Sequence, residues 1–472
     1  MVLNGGWQLF LGSCRVSAAT ALLLAGIMTP GSQAQETASH PTGNQTQPIR
    51  PLAQDYVALL ESPSPANVFC YSPSLARCPN GRLVAAATIS GPSKGYWDVA
   101  IGAAKVFVSD DHGKTWVHKH DLPRRVGGAK IQSEPRPRLF VAGQSLYAHF
   151  VLGDMWIVRS DDWGETWTDP VKLTEKGGWH QTPCQVHYAN GCVYLALERR
   201  VTENVHGWPV GEFAEVLMRG PVDADLTRPE NWTFASELSF RDLIANVETD
   251  PEIDFFGLPF FPVPYPFGSD PAPGRRCYPM GWLEANVVQI VNPDHYWYDP
   301  KGKTFHLWMR AHTGNTGYAA VVKVVENDDG SMTTMLETVP SGKKCLFVPC
   351  PGGQMKFEVT YDEKTQRYWL LSTQATDSMT RAKRLPADRF QLPNNERRRL
   401  QLHFSKNMID WCFAGLVAVG PTERSSRNYA SMLIDGDDLH FLSRSGDERA
   451  MSAHDADVIT FHTIKNFRKL VY

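Results

Sequence analysis

Apolar residues occur along this chain in short runs separated by turn-forming residues. The runs AAKVFV (103–108) and MWIVR (155–159) are each followed by a polar segment and then by a further strand-like run. No helical period of 3.6 residues is sustained over a useful length. With 37 glycines and 33 prolines in 472 residues, this pattern favours many short strands and tight turns. It therefore predicts an all-β fold.

The polar segment occurs twice, as SDDHGKTW (109–116) and as SDDWGETW (160–167). An Asp in a turn can accept hydrogen bonds from backbone N–H groups, a Gly allows a positive φ, and a Trp buries a large ring. We therefore interpret Asp111 and Asp162 as structural residues of β-hairpin turns and not as a catalytic pair.

Two diverged copies of the segment are SKNMIDW (405–411) and VENDDGSM (325–332). A repeat of roughly 40 to 50 residues is typical of the blades of a β-propeller. Residues 51–472 would then form six blades with long loops, or seven tighter ones.

The N-terminal segment predicts export. Arg15 precedes an apolar run, VSAATALLLAGIM (16–28), and small residues follow up to Ala34, which is the pattern of a signal peptide over residues 1–34. The run is shorter than the ~20 apolar residues that a membrane-spanning helix needs. We therefore expect a secreted or periplasmic protein with no stable membrane span after cleavage.

The remaining features of the composition are ordinary for a soluble protein. Residues 35–50 are rich in Gln, Thr, Ser and Pro, which predicts a disordered leader. A lipoprotein anchored through Cys14 is an alternative to the cleaved signal. The formal net charge of -3 argues against nucleic acid as a partner.

Eight cysteines follow Cys14, an even number compatible with disulfides in an oxidising compartment. Three pairs are close in sequence and are candidates for bridges within hairpins, with the connectivity left open by the sequence: Cys70/Cys78, Cys184/Cys192 and Cys345/Cys350. The chain has no CxxC spacing and no matched Cys/His cluster. We therefore expect no metal and no cofactor.

The pattern S-x-D-x-G-x-T-W is the Asp box of sialidases and other β-propellers, and the chain resembles the exo-sialidase family over most of its mature length. That family has an Asp before the first Asp-box strand, and GYWDVAIGAAKVFVS places Asp98 eleven residues before Ser109. It also has a Glu at the opening of a later strand, which corresponds to Glu284 in GWLEANVVQI.

Three more positions carry the resemblance. The Arg on the strand after the Glu corresponds to Arg310 in TFHLWMRAHTG. A second Arg lies eight residues before the Ser of a late Asp box, and Arg397 stands eight before Ser405. A Tyr at the start of a strand that ends in a D-G turn corresponds to Tyr429 in NYASMLIDGDDLHFL.

The resemblance implies a monomeric glycoside hydrolase that releases a terminal acidic sugar from a glycan, with retention, through a Tyr nucleophile. Tyr429 would be the nucleophile, Glu284 would accept its proton, and Asp98 would be the general acid. Arg310 and Arg397 would bind the carboxylate of the sugar.

One family position differs. The family's first Arg lies in an R-I-P-A-L phrase on the opening strand, and YSPSLARCPNGRLVAA aligns Tyr71 with it. Tyr71 therefore occupies a substrate-binding position without the positive charge. Sialic acid and other acidic sugars both remain open as the substrate.

Two other functions stay open. Propeller polysaccharide lyases use Tyr and His for proton transfer beside a uronate, and the chain offers such a group in His180, His187, Tyr188, Arg136 and Arg138. A propeller that binds glycans without catalysis is the second alternative. A Pro- and aromatic-rich insertion near 250–278 is expected to be a long loop that either walls a pocket or packs as a flap.

Overall fold

Antiparallel strands form nearly all of the regular structure. The structure is a computed structural model that describes residues 49–91, 103–122, 135–180, 183–203, 208–244, 253–254, 271–278 and 280–472. These residues belong to one compact unit, Ile49–Tyr472. The predicted signal peptide and almost all of the predicted leader lie outside the described residues.

Six sheets, each of four or five strands, make up the blades. Strand β1 (Val57–Glu61) comes first in the chain and belongs to the last blade. The first blade contains β2 (Phe69–Arg77), β3 (Leu83–Ser90), β4 (Ala103–Ser109) and β5 (Val117–Leu122). The second contains β6 (Arg138–Ala142), β7 (Ser145–Leu152), β8 (Asp154–Ser160) and β9 (Val171–Lys172). The third contains β10 (Trp179–His180), β11 (His187–Ala189), β12 (Cys192–Arg200), β13 (Phe213–Pro221) and β14 (Thr233–Phe234).

The remaining strands form the other three blades and a small satellite sheet. The satellite sheet consists of β15 (Ile253–Asp254), β20 (Glu337–Thr338) and β21 (Lys344–Cys345). The fourth blade contains β16 (Gly281–Val288), β17 (Thr304–His312), β18 (Tyr318–Glu326), β19 (Met332–Met335) and β22 (Phe347–Pro349). The fifth contains β23 (Glu358–Asp362), β24 (Arg367–Thr373), β25 (Arg399–Ser405) and β26 (Cys412–Val419). The sixth contains β27 (Ser426–Asp435), β28 (Asp438–Gly446) and β29 (Val458–Ile464), with β1 at its edge.

The helices of the described residues are few and short. The α-helix α1 spans Phe240–Ile244, and 3-10 turns occupy Val210–Glu212, Pro229–Asn231, Ala382–Arg384, Pro393–Asn395 and Phe467–Leu470. None of the helices in the described ranges is long and apolar enough to cross a membrane.

The two ends of the unit close the ring. Strand β1 pairs antiparallel with β29, with Val57 opposite Phe461, so the last blade combines strands from both ends of the unit. The innermost strand β2 contacts both β27 and β6, its counterparts in the two neighbouring blades. The prediction of an all-β propeller is therefore confirmed, with six blades and not seven.

Apolar side chains between adjacent blades form the core. Between the first two blades, Val84, Val106, Leu146 and Phe150 are fully buried in one cluster. Strand β3 is buried along its whole length because it has a strand on each side and packed side chains on both faces. Each such residue stabilises the fold by roughly 1.5–3 kcal/mol through apolar burial.

The two repeated polar segments form identical turns. In the first turn, Ser109 Oγ accepts a hydrogen bond from the Gly113 N–H at 2.9 Å, and Asp111 Oδ1 accepts one from the Thr115 N–H at 2.9 Å. In the second, Asp162 Oδ1 accepts from the Thr166 N–H at the same distance. Both carboxylates therefore hold turns, as the sequence predicts.

These turns lie at the opposite end of the blade from the sequence-predicted site. Leu83 pairs with both Arg77 and Ser109, so the turn after Ser109 lies where β2 ends. Tyr71 pairs with Thr88, near the beginning of β2.

The predicted disulfides are wrong, because all eight described cysteines are free thiols. Cys70 lies near the start of β2 and Cys78 follows its end, so the extended strand separates their Cα atoms by roughly 25 Å, whereas a disulfide needs less than about 7 Å. Cys192 lies opposite Ala189 in the β11–β12 hairpin, so Cys184 lies well beyond its reach. Cys345 and Cys350 are both buried and unbridged.

Candidate functional site

Three innermost strands carry the same backbone irregularity at the same end. Ser72 in β2, Glu284 in β16 and Tyr429 in β27 have positive φ values of 48°, 64° and 50°. In each strand the pairing register shifts across this residue. A bulge re-aims a side chain out of the regular alternation, and a non-Gly residue with positive φ is strained unless its surroundings fix it. The fold therefore turns Glu284 and Tyr429 away from the direction that their strand positions would give.

The redirected side chains meet. The Tyr429 hydroxyl donates a hydrogen bond to Glu284 Oε1 at 2.8 Å, and Arg310 Nη1 donates one to the Tyr429 oxygen at 3.1 Å. Arg310 Nη1 also lies 3.5 Å from Glu284 Oε2. All three side chains are buried. A phenol placed between a carboxylate and a guanidinium can lose its proton to the first and be stabilised as phenolate by the second.

Neighbouring loops hold Arg310 in place. Its Nε donates to the Gln354 carbonyl oxygen at 2.8 Å, and its Nη2 donates to Asn395 Oδ1 at 3.4 Å. The Trp208 ring covers the guanidinium, with its centroid 5.3 Å from Cζ. The position of the charge is therefore fixed by contacts from three separate segments.

Two further arginines flank the Tyr429 ring. Arg397 Cζ lies 5.4 Å and Arg444 Cζ 5.1 Å from the ring centroid. Arg397 also lies over the Phe390 ring at 5.5 Å. Burial lowers the pKa of Arg397 to about 10, and the nearby charges of Arg444 and Arg310 act in the same direction. Three guanidinium groups therefore surround one phenol, and an anionic ligand would offset their mutual repulsion.

Tyr71 contributes a ring to the site in place of a charge. Its hydroxyl donates to Asp455 Oδ1 at 2.9 Å, and its ring lies under the Arg444 guanidinium, 4.2 Å from Cζ. Burial alone would raise the pKa of Asp455, but hydrogen bonds from His454 and Tyr71 and the charge of Arg444 hold it well below its usual range. Asp455 is therefore a carboxylate at neutral pH.

A cavity of about 590 Å³ opens beside Tyr429 and Glu284. Its polar lining comes from side chains on several blades: Tyr71, Ser72, Arg136, His180, Glu284, Tyr429, Arg444, His454 and Asp455. The volume suits one or two sugar units. Among the described residues, Arg310 and Arg397 do not line this cavity but contact the Tyr429 side chain.

The structure thus brings together five of the six sequence-predicted site residues: Tyr71, Glu284, Arg310, Arg397 and Tyr429. The sixth, Asp98, lies outside the described residues, as does most of the Pro-rich insertion. Within the described ranges, no group of three or more His, Cys, Asp or Glu side chains is arranged to hold a metal ion.

Sequence reasoning missed Arg444, His454 and Asp455. Arg444 lies in the run LHFLSRSG, where a charged residue follows the apolar residues of a strand and could have been a signal of a site. This signal does not show at which end of the blade Arg444 lies. Strand β28 comes close to Tyr71 only because the last blade packs against the first when the ring closes.

Two glutamates behind Glu284 were also missed. Glu198 Oε1 accepts a hydrogen bond from the Glu284 backbone N–H at 2.5 Å, which supports the positive φ there. Glu215 lies directly opposite Glu198 in the β12–β13 ladder. Burial and the charges of Glu198 and Glu284 raise the pKa of Glu215 well above its usual value.

The group predicted for a lyase does not converge. His180 and Arg136 line the cavity and contact each other at 3.2 Å. Tyr188 instead donates to the Val141 carbonyl oxygen, and burial lowers the pKa of His187 to about 4. Arg138 is buried, with its Nη1 bonded to the Ala196 carbonyl oxygen. The residues share no site because the innermost strand of the third blade is split into β10 and β11, and only the β10 end reaches the cavity.

Comparisons with known proteins give similarity to solved structures only. No family model matches the chain, and no curated protein matches it. An α-L-arabinanase of Penicillium chrysogenum is 12% identical, with a TM-score of 0.48 over 89% of this chain and 99% of its own. A Trypanosoma rangeli sialidase is 13% identical, with a TM-score of 0.48 over 88% of this chain and 60% of its own. A Hadza microbial sialidase is also 13% identical, with a TM-score of 0.48 over 84% of this chain and 66% of its own. The similar structures thus include sialidases, the family that the motifs resemble, but at such low identity none of them bears on the substrate.

Proposed function

We propose that the protein is a glycoside hydrolase that releases a terminal acidic sugar from a glycan, with retention of configuration, through a covalent intermediate on Tyr429. The observation that carries the proposal is the buried arrangement of the Tyr429 hydroxyl between Glu284 Oε1 and Arg310 Nη1 at the wall of a cavity of sugar size. Sialidases with a Tyr nucleophile are a known departure from the two-carboxylate scheme of glycosidases.

The charges around the phenol suit an acidic substrate. A carboxylate nucleophile would repel a sugar that carries a carboxylate near its anomeric carbon, whereas a neutral phenol would not. As the phenol attacks, Glu284 takes its proton, and Arg310 stabilises the negative charge that develops on the oxygen. The bond from the anomeric carbon to the leaving oxygen breaks as the bond to Tyr429 forms.

A general acid is needed for the leaving oxygen, and we assign this role to Asp98. Of the two described carboxylates that line the cavity, Glu284 is bonded to the nucleophile and Asp455 is held ionised. Neither is therefore suited to donate the proton. In the second step Asp98 would take a proton from a water whose oxygen bonds to the anomeric carbon, while the bond to Tyr429 breaks and Glu284 returns its proton to the phenolate.

Export is part of the proposal. The segment 1–34 has the features of a signal peptide, and its removal would leave a monomeric enzyme in the periplasm or medium, where glycans are accessible. N-terminal sequencing of the protein from a secreting host tests this point, and a mature chain that begins before the apolar run would contradict it.

The experiment that tests the activity is turnover of a panel of fluorogenic glycosides. The panel contains a sialoside, a glucuronide and, because one similar structure is an arabinanase in complex with arabinobiose, an α-L-arabinofuranoside. We expect release from an acidic glycoside, and its loss in Tyr429→Phe. Release from the neutral arabinofuranoside alone would overturn the acidic substrate, and silence on all glycosides with sugar binding retained would favour a binding protein.

A further inference from the structure

We propose that Arg444 binds the carboxylate of the acidic sugar, which makes it a specificity-determining residue on the wall of the cavity beside Tyr429. The inference rests on the proposed function and names the group that selects the substrate. Arg444 comes from β28, a strand that carries none of the residues predicted from sequence.

The guanidinium of Arg444 is buried with unused hydrogen-bonding capacity. The residue is 4% exposed, and its Nη2 donates to the His454 carbonyl oxygen. Among the described residues, its Nε is buried without a hydrogen-bond partner and no carboxylate lies within 4 Å of the group. The charge of Asp455 favours the charged form of Arg444 but forms no ion pair with it within 4 Å, so a bound anion would offset part of the cost of burying this guanidinium.

Two aromatic rings fix the plane of this guanidinium. The Cζ atom lies 4.2 Å from the Tyr71 ring centroid and 5.1 Å from that of Tyr429. Contacts of this kind cover the faces of a guanidinium, whereas its N–H donors point outward in the plane. Tyr71 is itself held by its hydrogen bond to Asp455. The donor edge of Arg444 is therefore preorganised for the forked pairing that a carboxylate accepts.

Both described carboxylates that line the cavity already accept hydrogen bonds. Asp455 accepts hydrogen bonds from Tyr71 and His454, and Glu284 accepts one from Tyr429. Burial lowers the pKa of Arg444, the charge of Asp455 opposes this effect, and the charge of Arg136, which also lines the cavity, adds to it. An anion next to Arg444 would be attracted by both arginines.

This arrangement gives Tyr71 a structural role in the site. It occupies the position at which the resemblance predicts an arginine, and its ring instead supports an arginine from another blade. The positive charge at this side of the cavity is supplied by β28 and not by β2. The carboxylate would then lie next to the nucleophile, because Arg444 contacts the Tyr429 ring.

The test compares each acidic glycoside with its carboxamide, which has the same shape and no charge. A sialoside pair and a glucuronide pair distinguish a carboxylate on the anomeric carbon from one on the ring carbon next to the ring oxygen. In Arg444→Gln we expect KM for the acid to rise at least about 30-fold, with the carboxamide changed less than about threefold. Arg444→Lys keeps the positive charge but cannot form the forked pairing, so its KM for the acid should lie between those of the wild type and Arg444→Gln.

A matched control is Arg427→Gln. Arg427 is an equally buried arginine in the same blade that contacts Tyr56, and it does not line the cavity. Its replacement should alter stability but not the ratio of acid to carboxamide turnover. If Arg444→Gln weakens acid and carboxamide equally, Arg444 only holds the His454 segment and the inference is overturned.

The two proposals can fail separately. If the wild type turns over no glycoside, titration calorimetry with the free sugar acids still tests the subsite: binding that Arg444→Gln loses and Tyr429→Phe keeps would support it. Alternatively, Tyr429→Phe could abolish turnover of an acidic glycoside while Arg444→Gln leaves the ratio of acid to carboxamide turnover unchanged. That result would support the proposed function and contradict the assignment of Arg444 to the carboxylate.

Discussion

The phenolic oxygen of Tyr429 lies 2.8 Å from Oε1 of Glu284, although the two residues are 145 positions apart in the chain. Both have positive φ at a bulge in an innermost strand, so two separate blades distort in the same way to bring them together. Strain at two partners of one hydrogen bond favours a functional role for the pair.

The first prediction concerns this hydrogen bond. Tyr429→Phe should lower kcat by more than about 10³-fold because the nucleophile is removed, and Glu284→Gln should lower it by about 10²- to 10⁴-fold because the proton acceptor is lost. Since the two residues act as a unit, the double variant should be little worse than Tyr429→Phe alone. Steady-state kinetics on the acidic glycoside give kcat for the two single variants and the double variant. Additive effects would show that they act independently.

The second prediction concerns Glu198, which we consider a positioning residue. Its Oε1 accepts the Glu284 backbone N–H, and Glu198→Leu removes that acceptor whereas Glu198→Gln retains one. We expect Glu198→Leu to lower kcat by about 10²-fold through misplacement of Glu284, with a small change in KM, and Glu198→Gln to restore most of it. Equal losses in the two variants would mean that the charge of Glu198 matters and not its hydrogen bond.

The third prediction concerns the repeated turns. Asp162→Ala should lower the free energy of unfolding by about 1 kcal/mol, because Asp162 accepts from both the N–H and the hydroxyl of Thr166. The kcat/KM should stay unchanged, since the turn lies at the far end of the blade. Asp169→Ala, at an exposed position of the same hairpin, is the control. A loss of activity without a loss of stability would contradict the structural role of Asp162.

The same turn gives a pH dependence. Burial would raise the pKa of Asp162, but the hydrogen bonds from Thr166 and Ser160 outweigh it and lower the pKa in the folded state. The resulting stabilisation is fully present above the unfolded-state pKa of about 3.9 and is lost as the pH falls through the lower folded-state pKa. In urea denaturation, the wild type should therefore have a higher free energy of unfolding than Asp162→Asn at neutral pH, and this difference should shrink below about pH 4.

The sequence predicted those parts of the site that depend on local context. Glu284, Arg310 and Tyr429 each stand within a short phrase whose strand and turn can be recognised, and the turns of Asp111 and Asp162 follow from residues within eight positions. Arg444 could not be assigned in this way, because only closure of the ring through β1 and β29 brings β28 to the cavity.

The cysteine pairs are a case in which the sequence predicted contacts that do not form. Cys70 and Cys78 are close in sequence, and a hairpin between them would have allowed a bridge. The chain instead continues in one strand, β2, from Cys70 past the bulge at Ser72 to the residue before Cys78, and this strand carries it from one end of the blade to the other. Sequence separation predicts spatial separation only when the position of the turn is known, and here the turn follows Cys78.

The last prediction concerns Glu215, whose two carboxyl oxygens are buried without hydrogen-bond partners among the described residues. Because burial and the charges of Glu198 and Glu284 raise its folded-state pKa, folded protein retains a proton that unfolded protein releases above about pH 4.3. The stability of the wild type therefore falls as the pH rises from that value towards the folded-state pKa. Glu215→Gln cannot ionise, so its stability relative to the wild type should increase from pH 4 to pH 8 in urea denaturation. A constant difference across this range would show that Glu215 is already ionised in the folded protein and that an opposite charge compensates it.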